Sequence, residues 1–391
     1  MKIGFVVQRY GEDIIGGAEY HCRLIVKYLK PHFDIEVFTS KANDYITWKD
    51  YYRDKITYID GVKVNRFSVS KKRNPIKFGK IQQKVFEKEH TEKDELKWIE
   101  EEGPNLPKLI KEIKNREEEF DFFIFFSFRY YHSFHGIKML PQKSILVPTA
   151  EPDPTLYLKV FRPIFNLPRA IVYNSWEEKR IINLYSNNYN VPGDVVGVGS
   201  EIPYEYNENR FRKKYGIEDK FLLYIGRIDK NKGVDHLFDF FQKYKKENKD
   251  NLKLVLIGKE VFPIPEDEDI IYVGAVSDED KFDALSAAEI LMMPSFYESL
   301  SMVTIESWAL RKPVIVNGGC PVLKDQIIRS GGGLYYNNYF EFKEALEYIL
   351  NNKKIYEKMG EKGRAFYEEN YTWNRIVEKY LKLIEKVGNR R

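Results

Sequence analysis

The stretch EILMMPSFYESLSMVTIESWALRKPVIV, residues 289–316, reads as a buried strand, a turn, a helix and a second buried strand. Its first run, EILMMP (289–294), and its last, KPVIV (312–316), are apolar without alternation, as in strands covered on both faces of a parallel sheet. Between them Glu298 and Glu306 stand eight positions apart. Upstream, FLLYIGRIDKNKG (221–233) repeats the plan, with Arg227 and Lys232 just beyond an apolar run. Open α/β sheets bind ligands in the crevice outside the carboxyl ends of their strands, where both pairs fall. Cations there suit a diphosphate and carboxylates suit sugar hydroxyls, so the pattern points to a nucleotide sugar.

Similar runs recur outward from this unit. The first half carries KIGFVV (2–7), DIEVF (34–38), VKVNRF (62–67), FDFFIFF (120–126), KSILVP (143–148) and AIVYN (170–174). The second adds KLVLIG (253–258) and IIYVG (270–274). Helical patterns such as AEYHCRLIVKYLK (18–30) separate them, so the expected class is α/β with two doubly wound, Rossmann-like domains. A chain of 391 residues is long enough for both. The expected bounds are 1–199 and 207–370, joined through the Gly- and Pro-containing VVGVGSEIPYEY (195–206). Residues 371–391 form a last amphipathic helix, with Trp373, Ile376, Val377, Tyr380, Leu383, Ile384 and Val387 at helical spacing. The polar stretch 75–118 reads as helices inserted into the first domain.

Composition narrows the function. With 63 basic and 59 acidic residues the net charge is +4, too near balance for a nucleic-acid coat. Cys22 and Cys320 have neither metal-site nor disulfide spacing, which fits a reducing compartment. The opening MKIGFVVQRYG has too short an apolar run for a signal peptide, and no stretch reaches membrane-spanning length. The expectation is a soluble, cytoplasmic chain. Six cations between residues 71 and 84 (Lys71, Lys72, Arg73, Lys77, Lys80 and Lys84) would suit peripheral contact with an acidic membrane at its inner face, or a charged acceptor. A solvated face is the plainer reading.

Arg227 offers a planar fork and Lys232 a compact charge, while Gly226 and Gly233 allow close backbone approach. Alone, this turn would also fit a solvated charged loop. Glu298 falls in a turn and Glu306 within the following helix, so both can point into one crevice. The amides of Ser299, Leu300, Ser301, Met302 and Val303 would open toward an anion. Taken singly, either carboxylate reads as an ordinary helix acid. Gly16 and Gly17, opening the first helix, could admit a phosphate or sugar, but they form no G-x-G-x-x-G run. Asp267 and Asp269 precede a strand, and His132 and His135 lack a third ligand, so no metal site is expected.

Together, GGAE (16–19), GRIDKNKG (226–233), VGAVSDEDKFDALSAAEILMMPSFYES (273–299), the spaced glutamates and the last helix resemble the GT-B glycosyltransferases of family four, the group one glycosyl transferases. The resemblance covers nearly the whole chain. It implies two Rossmann-like domains facing across a cleft, the first on the acceptor side, the second binding the nucleotide, and the last helix returning to the first. It further implies that Arg227 and Lys232 hold the donor diphosphate. Glu298 and the amides of residues 299–303 would hold the sugar and phosphate, Glu306 the ribose, and residues 273–276, ending in Val276, the base. Gly16 and Gly17 would approach the diphosphate. Many relatives place a His at the end of a first-domain strand; here ILVPTAEPDPTLY (145–157) puts Glu151 there, which would then meet the sugar.

The expected activity is metal-independent, cofactor-free retaining transfer of a sugar from a nucleotide-diphosphate donor to a hydroxyl of a glycan, a lipid-linked or a small-molecule acceptor. Hydrolysis or epimerisation of a nucleotide sugar, or binding without catalysis, are the alternatives.

Overall fold

Short apolar runs become the strands of two sheets in the computed structural model, which describes residues 1–14 and 16–389. The last two positions of the expected 371–391 segment, Arg390 and Arg391, lie outside the described residues. The chain folds as two compact units, residues 1–198 with 376–391, and residues 199–375.

The first unit runs β1 (Lys2–Val6), α1 (Gly17–Leu29), β2 (Asp34–Ser40), β3 (Ile56–Ile59), β4 (Val62–Phe67), α2 (Pro75–Glu87), α3 (Glu92–Glu102), α4 (Pro107–Asn115), β5 (Phe122–Phe126), α5 (Tyr131–Met139), β6 (Ser144–Val147), β7 (Ala170–Tyr173), α6 (Trp176–Ser186) and β8 (Gly193–Val195). Its sheet order is β3-β4-β2-β1-β5-β6-β7-β8. All pairs are parallel except β3 with β4, so an antiparallel edge strand joins an otherwise parallel sheet. The polar stretch 75–118 is helical, as expected. It forms α2, α3 and α4, and drives Trp98, Ile99, Leu109 and Ile113 into the same core as Phe123 and Phe125. Half of the basic run is neutralised there: Lys71 meets Glu101, Arg73 meets Glu102 and Lys84 meets Asp94, at 2.5, 2.5 and 2.7 Å.

The second unit runs α7 (Glu208–Tyr215), β9 (Phe221–Ile225), α8 (Val234–Glu247), β10 (Lys253–Ile257), β11 (Ile270–Gly274), α9 (Asp278–Ala287), β12 (Ile290–Met293), α10 (Met302–Ala309), β13 (Val314–Asn317), α11 (Pro321–Ser330), β14 (Gly333–Tyr336), α12 (Tyr339–Leu350) and α13 (Lys353–Asn370). Its sheet, β11-β10-β9-β12-β13-β14, is wholly parallel. From β9 the chain proceeds outward to β10 and β11, then returns to β12 and proceeds the other way. The loops after β9 and β12 therefore diverge at a topological switch point, which leaves a crevice between them. No helix among the described residues is long and apolar enough to cross a membrane.

The last helix, α14 (Trp373–Gly388), belongs from Ile376 onward to the first unit. Ile376, Tyr380, Leu383, Ile384 and Val387 form its buried stripe. Arg169, just before β7, donates from Nε and Nη2 to the Val387 carbonyl at 3.2 and 3.0 Å, satisfying an acceptor that a helix end leaves open. Leu383→Ala, at a position 4% exposed, should lower stability by about 2–5 kcal/mol, through lost burial and the cavity left behind. Chemical denaturation checks this; a loss below about 0.5 kcal/mol would mean that the stripe does not hold the helix down.

Candidate functional site

The loop after β9 begins at Gly226, whose N–H donates to the Ile257 carbonyl at 2.9 Å, and bends through a short 3-10 turn over residues 230–232. Asp229 caps that turn by accepting from the Asn231 amide, 2.9 Å away. Gly233 ends it with φ +71°, a left-handed conformation that favours glycine, and a Cβ there would lie 2.2 Å from the Pro294 carbonyl oxygen. That carbonyl, in the loop after β12, also accepts from Asn317 Nδ2 at 3.0 Å. The two switch-point loops are thus pressed together, and Lys232 Nζ donates to Glu298 Oε1 at 2.7 Å. Arg227, half exposed, pairs through Nε with Asp229 Oδ2 at 2.9 Å. Each cation therefore faces a carboxylate of the chain itself.

Beyond Glu298 the loop passes through Ser299 and Leu300 to Ser301, the N-cap of α10, whose Oγ accepts from the Thr304 amide at 3.3 Å. The amides of Met302 and Val303 lie in the first turn, where a helix leaves N–H groups without intrahelical partners. Glu306 sits one turn further on and is enclosed, not a solvated helix acid. Its Oε1 accepts from Ser200 Oγ at 2.6 Å and from Lys281 Nζ, on α9, at 2.9 Å. Its Oε2 is buried and has no hydrogen-bond partner among the described residues. Burial alone would lower the Lys281 pKa, but the Glu306 carboxylate opposes it and the net shift is upward. Val276 lies half-buried between β11 and α9, at the carboxyl end of the sheet.

Gly16, Gly17 and Glu151 belong to the first unit. Gly16 is the N-cap of α1, and a Cβ there would meet Glu19 Oε2 at 2.3 Å, whereas one on Gly17 would meet nothing within 4 Å. Only the first glycine is demanded by its surroundings. Glu19 is held by Arg9, which follows β1, with Nε and Nη2 at 2.8 and 2.6 Å from Oε1. Half-buried Glu151 follows β6. Beneath it Glu178 accepts from the backbone N–H groups of Ala150 and Asn174, tying together the chain beyond β6 and β7. Burial pushes the Glu178 carboxyl up to about 8, against the two amides that favour its charged form, with the Glu151 charge adding to the rise.

Asp229, Ser200, Lys281, Arg9 and Glu178 were not among the sequence candidates. Asp229 stood in view two residues from Arg227; the others come to their partners through tertiary packing. The discounted motifs have ordinary partners. Asp269 pairs with Lys253 and Lys245 at 2.6 and 3.3 Å, and Asp267 accepts from the Asp269 amide and Gln242. His132 is enclosed, with Nε2 3.0 Å from the Phe126 carbonyl, while His135 faces Glu100. No group of three or more His, Cys, Asp or Glu side chains among the described residues could hold a metal ion.

Residues 207–366 match the family model described as glycosyl transferases group 1. A probable sucrose-phosphate synthase of Thermosipho melanesiensis is 31% identical over 235 residues, 54% of this chain and 52% of that protein. The chain spans about half the length of the first curated relatives it matches. The solved sucrose-phosphate synthase of Thermosynechococcus elongatus superposes with a TM-score of 0.74 over 100% of both chains at 15% identity. Anabaena HepE, solved in complex with UDP and glucose, superposes at 0.70 over 98% of this chain and 99% of its own, at 14% identity. These likenesses identify the fold as GT-B, built from two Rossmann-like domains.

Gly233→Ala should force a Cβ into the Pro294 carbonyl and strain a left-handed turn, lowering stability by about 1–3 kcal/mol. Denaturant titration reads it; an unchanged midpoint would show that the two loops can part freely.

Proposed function

We propose that this chain, whose residues 207–366 match the group 1 glycosyl transferase model, is a retaining, metal-independent glycosyltransferase acting on a nucleotide-diphosphate sugar. The observation that carries the reading is the Lys232–Glu298 contact across the switch point, which joins the cationic loop to the carboxylate loop. The UDP bound by a solved protein of the same fold supports a nucleotide donor.

In this reading Arg227, Lys232 and the first amides of α10 meet the diphosphate, and Glu298 orients the sugar. The bond from the anomeric carbon to the phosphate oxygen breaks, and negative charge grows on the departing diphosphate. Fixed cations and amide dipoles stabilise that charge without reorganising. A bond forms from the acceptor oxygen to the same face of the carbon, and the acceptor proton passes to a diphosphate oxygen. No protein nucleophile enters this scheme. Asp229 and Glu298 already offset the two cations, and the helix amides add their own attraction to what remains. A divalent ion is not needed in this scheme. Val276 would border the base, and Gly16, Gly17 and Glu151 remain donor contacts proposed for the first unit. Contact with an acidic membrane would fall to Lys72, Lys77 and Lys80, beside the exposed Ile76 on α2.

The test is product analysis by NMR with a panel of nucleotide sugars and acceptors, in buffer and in excess EDTA. Transfer with the donor's anomeric configuration kept, at a rate EDTA leaves unchanged, is expected. Inversion would remove the same-face scheme, metal-restorable loss would remove metal independence, and free sugar as the only product would mark a hydrolase.

Glu306→Gln should chiefly weaken nucleotide binding, since a contact shared by ground and transition states acts on affinity. Glu298→Gln should lower turnover more than affinity, by about 10²–10³ if its orienting contact matters as electrostatic contacts in other active sites do. Calorimetry beside kinetics separates them; equal effects of both variants on binding and rate would end this division of roles.

A further inference from the structure

Glu306 is only 3% exposed, yet one of its carboxylate oxygens lacks a donor among the described residues. Buried polar atoms are normally paired, so an enclosed oxygen of this kind calls for an explanation. The other oxygen takes both available donors, Ser200 Oγ at 2.6 Å and Lys281 Nζ at 2.9 Å. These donors come from separate parts of the second unit. Ser200 lies near its beginning, before α7, while Lys281 lies on α9, where Asp278 Oδ1 is 3.2 Å from its ammonium.

We propose that Lys281 and Ser200 are positioning residues for the donor's nucleoside, fixing Glu306 through Oε1 so that Oε2 is kept for a ribose hydroxyl. The inference rests on the nucleotide reading above and deepens it. Two donors on one oxygen set the rotation of the carboxylate plane, which a single donor would leave free to turn. Lys281 also brings a positive charge to within 2.9 Å of the enclosed carboxylate, and a charged donor holds an acceptor oxygen more firmly than a neutral one. A hydroxyl reaching Oε2 enters a place without bulk water, where a hydrogen bond to a charged oxygen is stronger than in solution. Ser200 and Lys281 need not touch the nucleotide for this.

The test compares ribose with deoxyribose. UDP, GDP and ADP are titrated calorimetrically into the full chain, and each that binds is repeated as its 2′-deoxy and 3′-deoxy form. Wild type should prefer the ribo form over at least one deoxy form by roughly tenfold to a hundredfold, as expected for a hydrogen bond to a charged group. Lys281→Met should reduce that preference to about twofold or less, Lys281→Arg should retain part of it, and Ser200→Ala should give an intermediate loss. A purely structural role would change melting temperature while leaving the ribo-to-deoxy ratio intact. Thermal melts accompany each titration, and Ser200→Ala carries the test if Lys281→Met does not fold. Wild type that binds none of the three nucleotides overturns the nucleotide reading itself. Wild type that binds but does not discriminate overturns the ribose contact. Discrimination in Lys281→Met or Ser200→Ala equal to wild type overturns the positioning role alone.

Discussion

Gly233 lies so close to the Pro294 carbonyl that no larger residue fits between them, and this approach sets the distance between two loops far apart in the sequence. Lys232 and Glu298, 66 positions apart, reach hydrogen-bonding distance because their loops leave neighbouring strands, β9 and β12, at the same end of one sheet. Sheet topology supplies the crevice, and a missing side chain lets its walls close. The chemistry proposed for the second unit depends on both.

Charge in that crevice is balanced before any ligand is considered. Arg227 faces Asp229 and Lys232 faces Glu298, so the pairs orient their cations but weaken the field they project. An anion must compete with a carboxylate for each. The N-terminus of α10 adds its own positive end, so the field there is not set by a count of basic residues alone. Glu306 represents a different solution: an acid taken out of water, matched by one lysine and one hydroxyl, and left with one oxygen unpaired among the described residues.

Fold class was legible because strands covered on both faces are written mostly as short apolar runs, and eleven strand-like segments, most of them of that kind, punctuate the sequence. Three strands escaped. β3, ITYI, is an antiparallel edge strand with exposed positions; β8, GDV, is short and lies against the assumed linker; β14, GLYY, opens on a glycine. None has the apolar continuity on which the reading relied. For the site, the residue types and their strand-end positions could be read, whereas their partners could not. Lys281 meets Glu306 because α9 and α10 lie over one sheet, and no local spacing encodes that meeting. The inserted stretch 75–118 was read as helices, and helices it is. Their polar composition, however, hid that Trp98 and its apolar neighbours enter the core.

The first unit closes on itself only after a long absence of the chain. Its sheet is complete by residue 195, yet the helix stripe from Ile376 to Val387 is supplied from beyond the entire second unit. At ribosomal rates of about 5–20 residues per second, the intervening stretch of about 180 residues takes on the order of 10–40 seconds to emerge. Throughout that interval the apolar ground destined for Tyr380, Leu383 and Ile384 has no cover from its own helix. A nascent first unit must therefore wait exposed, or be shielded by a chaperone, while the second unit can complete its own sheet and helices first.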